Sequence, residues 1–307
     1  MFSSLQLNNE RFRFNDICRV RNFTELFFNN DYTESTKIII NHRLALNIVI
    51  KQSNDLEIQI HSGNYFDDYS KNQAIFSVTI NKRDFTYRDF VQIATFDHNI
   101  IVDSIRKYEF KSDESINQQR PFTLSIPYGN NLLQVLQRSA DLRKEIVGII
   151  KEYGLRLIID RIDESIKFQK ELNDGAVVSI PYHQIADTLK RLIFYKAAIA
   201  SNSDSVLLFE EPEAHMFPPY ISKYTSDVMH DENNNQYFLS THSPFVLNDF
   251  LDNLKADELA IYIVDYRNGE TIVHRMNEED MHEAYQFGYD FFMNIDKFIS
   301  QEEHDKA

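Results

Sequence analysis

The chain has 307 residues, enough for one large α/β domain or for a domain with a sizeable insertion. Its 47 acidic and 32 basic side chains give a net charge of −15, which argues against a broad, purely electrostatic grip on nucleic acid. The 43% hydrophobic content excludes wholesale disorder, the one cysteine (Cys18) excludes an intramolecular disulfide framework, and no apolar run reaches the roughly 18–20 residues that span a bilayer.

The N-terminus lacks the charged-then-apolar layout of a secretory signal, so the expectation is a soluble cytoplasmic protein without a membrane partner. Residues 1–36, rich in Asn, Phe and Arg, have no clear periodicity and read as loop with a short helix. From Lys37 apolar residues alternate. Leu44, Leu46, Ile48 and Ile50, then Leu56, Ile58 and Ile60, then Phe76, Val78 and Ile80 predict strands of an antiparallel meander with one wet face. Residues 64–73 and 111–121 are polar connections. From Asn130 the period becomes helical. Leu132, Leu133, Leu136, Leu142, Ile146, Ile149 and Ile150 predict one long amphipathic helix that Gly154 ends. Leu155–Ile162 reads as a strand or a second helix, and residues 165–180 read as a hairpin turning at Asn173-Asp174-Gly175. A further helix covers about 183–200.

An α/β alternation follows. Ser205–Phe209 is a continuous apolar strand, which predicts burial on both faces of a parallel sheet. A helix follows Pro218-Pro219, Gln236–Ser240 is the next strand, and a helix runs from near Pro244 to about Leu251. Two strands pair across Asn268-Gly269, and an amphipathic helix or two close the chain.

The chemistry concentrates where the apolar strand Val206–Phe209 runs into Glu210-Glu211-Pro212-Glu213-Ala214-His215. A buried strand delivers its last side chains at the carboxyl edge, where open α/β sheets bind ligands. Two adjacent acids there can divide the work, one holding Mg²⁺ through its water shell and the other orienting an attacking water. About thirty residues on, Tyr237-Phe238-Leu239 ends in Ser240-Thr241-His242-Ser243-Pro244. A histidine at the tip of a neighbouring strand can reach a γ-phosphate and the attacking water.

Together, LLFEEPEAHMFPPY and FLSTHSPFVLN resemble the ABC-type ATPases of the RecF, SMC and OLD lineage, above all the short stand-alone prokaryotic "AAA family ATPase" proteins linked to DNA repair and phage defence. The resemblance is specific over about residues 183–290. It implies an α/β, P-loop NTPase fold of ABC ATPase type, with an antiparallel β meander and an inserted helical lobe. It divides the single domain 1–307 into a β-rich part (37–125), a helical lobe (126–204) and a Walker B/switch core (205–307). By resemblance Glu210 is the Walker B acid on the metal, Glu211 the catalytic glutamate and His242 the switch histidine, while Glu213 and His215 fall in the D-loop that reports across a dimer interface. The cofactors implied are ATP and Mg²⁺. The partners implied are a second subunit across an ATP sandwich, as homodimer or heterodimer, and a DNA, nuclease or effector partner.

Two departures stand out. The lineage carries a Gly-x-x-x-x-Gly-Lys-Ser/Thr loop whose backbone N–H groups cradle phosphate, and none of the seven glycines here is followed by Lys. A coding sequence that starts late, a natural pseudo-ATPase, and a loop supplied by another chain all account for this, and the ATP and Mg²⁺ expectation depends on that loop coming from outside. The signature helix is also altered. Its best register places Ala186, which has no hydroxyl, at the phosphate-facing position, followed by Asp187 and Thr188, and an alternative register uses Ser179. Arg191 could reach a phosphate or the partner. His282 and His304 read as solvated. The basic segment His98–Lys111 lacks the aromatic interleaving of a nucleic-acid site. Two functions from different classes remain open: an ATP-driven dimer switch, and a non-hydrolysing interaction module that keeps the same surface. A nucleic-acid clamp is a third reading, which the acidic charge disfavours.

Overall fold

The computed structural model describes residues 36–40, 44–50, 56–62, 74–80, 87–92, 105–112, 122–267 and 270–287. The chain divides into two compact units, Met1–Asp103 and Ser104–Ala307.

In the first unit, β1 (Thr36–Ile40), β2 (Leu44–Ile50), β3 (Leu56–Ser62), β4 (Ala74–Ile80) and β5 (Tyr87–Gln92) form one antiparallel meander in sequential order. Register follows the alternation read from the sequence: Ile48 stands opposite Ile58, Ile58 opposite Val78, and Val78 opposite Phe90. The loop-and-helix expectation for residues 1–35, and the wet face of the meander, lie outside the described residues.

The second unit is built on a parallel sheet in which β10 (Val206–Glu210) lies between β11 (Gln236–Ser240) and β6 (Ile105–Tyr108). Leu207, Phe209 and Tyr108 are buried on one face. Against them pack the helix α3 (Asp187–Ala200), which buries every residue from Leu192 to Ile199, and the helix α4 (Pro218–Met229). The contact is aromatic. Tyr195 meets Phe209 at 5.2 Å and Tyr224 at 5.5 Å between ring centroids, in edge-on geometries that aromatic pairs favour. Tyr108 donates to the carbonyl of Leu124 at 2.9 Å and accepts from the amide of Asn202 at 2.8 Å, so its buried hydroxyl is satisfied. Gly129 (φ +71°) passes so close to Phe194 that a Cβ there would stand 2.7 Å from the ring, and only glycine fits.

The expectation of burial on both faces of this sheet is met on one only. Val206 and Leu208 are half-buried and Phe238 is 52% exposed, because the described helices pack on the Leu207–Phe209 side. The predicted long helix is two helices, α1 (Leu132–Arg138) and α2 (Ala140–Lys151). Ser139 leaves the helical region (φ −93°, ψ 108°), and its hydroxyl accepts from the N–H of Leu142, restarting the chain as an N-cap.

Leu155–Ile162 resolves as a strand. β7 (Leu155–Asp160), β8 (Ser165–Glu171) and β9 (Val177–Pro181) make a three-stranded antiparallel sheet, and Gly175 supplies the positive φ of the predicted turn. The helix α5 (Pro244–Asn253), the hairpin β12 (Tyr262–Arg267) and β13 (Glu270–Arg275), and α6 (Glu278–Phe287) end the described chain. Ile261, Ile263, Met276 and Met281 form their shared core with Leu247, Leu251 and Leu259 packed against it. No described helix is long and apolar enough to cross a membrane.

Candidate functional site at the carboxyl edge of the parallel sheet

The parallel register sets Glu210 opposite Ser240, so both strands end together and the residues after them share one edge. The Glu211 N–H donates to the carbonyl of Ser240 at 2.9 Å, which prolongs the pairing by one residue into the loop. Glu211 itself has φ +41° and His215 has φ +61°, left-handed backbone that non-glycine residues adopt at a cost. This turn brings a carboxylate oxygen of Glu211 to 3.6 Å from Nε2 of His242. That is too long for a formed hydrogen bond but within reach of an ion pair or of a bridging water. Both side chains face solvent, His242 at 81% of its side chain.

Glu213 does different work. It is buried, and its Oε1 accepts from the Thr241 hydroxyl at 2.5 Å and from the His242 N–H at 3.3 Å. Thr241 in turn accepts from the Ser243 N–H at 3.0 Å. The carboxylate thus pins the turn that carries His242, and its second oxygen is buried with no partner. The contacts of Glu213 are with the chain's own 241–243 turn. The motif's alternation of acids hides this, because sequence does not show that Pro212 and Glu213 turn inward while Glu211 turns out.

Glu210 projects from the face opposite Phe209 and is met there by Lys107, whose Nζ lies 2.9 Å from Oε2. Lys107 stands opposite Leu208 on β6, on the same face as Leu208 and Glu210. The sequence holds the lysine in plain view in the basic segment 98–111. Its pairing partner lies 103 residues away, and nothing local reveals it.

The start of α3 is a second group. Ala186 is exposed and caps the helix without a side-chain bond. Asp187 accepts from Lys190 at 2.6 Å and from Ser112 at 2.8 Å, and these bonds hold its carboxyl below the usual carboxylate range. Thr188 donates to the carbonyl of His215 at 3.2 Å, which ties this helix start to the loop after β10. Asp187 is thus committed to partners within the chain. Ser179 lies within β9, just ahead of the 3-10 turn Tyr182–Gln184. Arg191 lies over the Phe110 ring at 4.6 Å, a cation–π contact inside the chain. His282 is exposed, as read, while His304 and the remainder of the closing segment lie outside the described residues.

Among the described residues no three His, Cys, Asp or Glu side chains gather into a metal cage. The carboxylate of Glu210, about one-third exposed and shared with Lys107, suits Mg²⁺, which keeps several waters and completes its shell with substrate phosphate.

No known family's sequence profile matches the chain, and no curated protein matches it. Among solved structures it is similar to heads of SMC ATPases. One, from work on ATP-driven dimerization and DNA-stimulated activation of SMC ATPases, is 17% identical over 52% of this chain and 98% of that one, with a TM-score of 0.35. The SMC head domain from Thermotoga maritima is 10% identical over 83% of both chains, also at 0.35. An SMC head bound to the C-terminal winged-helix domain of ScpA is 13% identical over 87% of this chain and 83% of that one, at 0.41. These scores are too low to carry an argument about fold or function, which therefore rests on the chain's own geometry.

Proposed function

We propose that the chain is the hydrolytic edge of an ABC-type ATPase, acting with ATP and Mg²⁺ in a nucleotide-sandwich dimer. The observation that carries this reading is Glu211, held in left-handed backbone at the end of a buried parallel strand with its carboxylate 3.6 Å from His242. Strain of that kind persists where a site requires it. In this reading Glu210 holds the water shell of Mg²⁺, which would supply charge neutralisation at the phosphates. Glu211 orients and deprotonates the attacking water, and His242 reads the γ-phosphate. Glu213 and Thr241 fix the turn on which His242 rides, and the exposed start of α3 at Ala186 turns toward the second subunit. The Ser104–Ala307 unit is then an ABC-type core with an inserted lobe over 126–204, and the ATP and Mg²⁺ chemistry depends on a phosphate-cradling loop that these 307 residues do not hold. A role in DNA repair or phage defence, with a nuclease or other effector, belongs to the same proposal.

The second reading, a non-hydrolysing interaction module, is favoured by Ala186, which offers no hydroxyl at the helix start. Turnover separates the two. With the phosphate-cradling loop supplied, the Glu211→Gln chain is expected to bind nucleotide as the wild type does and to hydrolyse it at least about 100-fold more slowly, the lower end of what general-base catalysis contributes. Equal turnover in the two proteins removes Glu211 from its assigned role.

A further inference from the structure

Lys107 is the charged group at this edge that the proposed chemistry leaves without a task. It lies on β6 in parallel register with β10, on the same sheet face as Glu210, and its Nζ sits 2.9 Å from Glu210 Oε2. Both side chains are about one-third exposed, 32% and 37%.

We propose, resting on the reading of Glu210 as the metal acid, that Lys107 is a tethered cation on Glu210 that a divalent ion displaces and that then turns to phosphate. The argument is one of space and charge. A divalent ion binds a carboxylate oxygen at about 2.1 Å, so an ion and the ammonium sharing Oε2 would stand about 5 Å apart at most. That is inside the Debye length of about 8 Å at physiological salt, so the two positive charges repel with little screening and each weakens the other's hold on the carboxylate. The metal is fixed by its ligands, whereas the ammonium rides a flexible four-carbon stem. Released at the carboxyl edge of the sheet, it stays within the region where phosphate oxygens arrive, and lysine binds phosphate as a mobile point charge. Lys107 thereby lowers metal affinity in the absence of nucleotide and raises phosphate affinity once metal is bound, so that metal and nucleotide load together.

The test is Mn²⁺ binding followed by electron paramagnetic resonance of the free ion, on the full chain, with and without inorganic triphosphate. Lys107→Met is expected to bind Mn²⁺ alone roughly two- to fivefold more tightly, the scale of a partly exposed ion pair. At saturating Mn²⁺ the same variant is expected to bind triphosphate more weakly than wild type. Lys107→Arg, which keeps the charge, should follow wild type for Mn²⁺, and Glu210→Gln should lose Mn²⁺ in either background. Unchanged or weaker Mn²⁺ binding in Lys107→Met, with Glu210→Gln still losing it, overturns the role of Lys107 and leaves the metal acid standing. Mn²⁺ binding that ignores Glu210→Gln, or that is absent from every variant, overturns both.

Discussion

Glu211 and Glu213, two residues apart, show how differently one acidic motif can spend its carboxylates. Glu211 occupies left-handed backbone, which costs a non-glycine residue of order 1–3 kcal/mol. Glu211→Gly is therefore expected to stabilise the fold by about 1 kcal/mol, after glycine's own entropic penalty, and to raise Tm by about 2–4 °C while abolishing hydrolysis. Thermal denaturation followed by circular dichroism reads this, and a lower Tm would remove the strain argument. Glu213 behaves in the opposite sense. Thr241→Val takes away its short hydroxyl donor, leaves a buried carboxylate underpaired and is expected to destabilise by about 1–3 kcal/mol. The same change frees the His242 turn, so turnover should fall together with stability; a variant with wild-type Tm would show that Glu213 does not pin that turn.

The residues legible in the sequence were those at strand tips. Glu210, Glu211 and His242 each follow an apolar run that announces a strand end, and the parallel pairing of β10 with β11 brings them to one edge. The part Lys107 plays is not legible in the sequence, because it depends on a strand pairing across 103 residues. The inward turn of Glu213 was illegible because burial of an acid depends on a partner, Thr241, that comes 28 residues later.

At the scale of elements, the ties between helices are ionic as well as apolar. Lys196 of α3, with 11% of its side chain exposed, donates to Glu145 of α2 at 2.7 Å and to Asp227 of α4 at 2.6 Å. Burial pushes the Asp227 carboxyl above its ordinary range, against the opposing pull of the Lys196 hydrogen bond. Lys196→Met should therefore destabilise by about 3 kcal/mol, since it strands a desolvated carboxylate. Urea unfolding measures the change, and a loss below about 1 kcal/mol would mean that the triad adds little to the packing around it. Periodicity finds the meander strands through Ile80, the helices and the β12–β13 hairpin, but it gives no sign of β5 or of β6, the strand that carries Lys107. It failed at Ser139, because an apolar stripe continues across a helix break when two helices pack on the same core, and the capping hydroxyl alone marks the division. It also overstated the burial of β10. A continuous apolar run records what a strand can bury, whereas the described helices cover one face.

For the molecule as a whole, the Ser104–Ala307 unit has an aromatic centre whose hydroxyls must stay protonated. Burial pushes Tyr108 up to about 12, and Tyr182, Tyr195 and Tyr224 are also raised by burial. In the unfolded chain tyrosine ionises near 10. Below pH 10 both states hold their protons and stability is unaffected. Between pH 10 and 12 only the unfolded state ionises, so stability falls as pH rises. The absorbance change at 295 nm that belongs to these buried tyrosines should arrive in one step with the loss of circular dichroism. Complete ionisation with the circular dichroism intact would contradict this packing.

The central claim is that the edge formed by Glu210, Glu211 and His242 meets a metal-bound nucleotide, and calorimetric titration with ATP of the chain supplied with a phosphate-cradling loop tests it most directly. The account predicts saturable heat that requires Mg²⁺, survives Glu211→Gln and disappears in Glu210→Gln. Heat that is absent with Mg²⁺ present, or that is indifferent to Glu210→Gln, would contradict it and leave the interaction module as the better description.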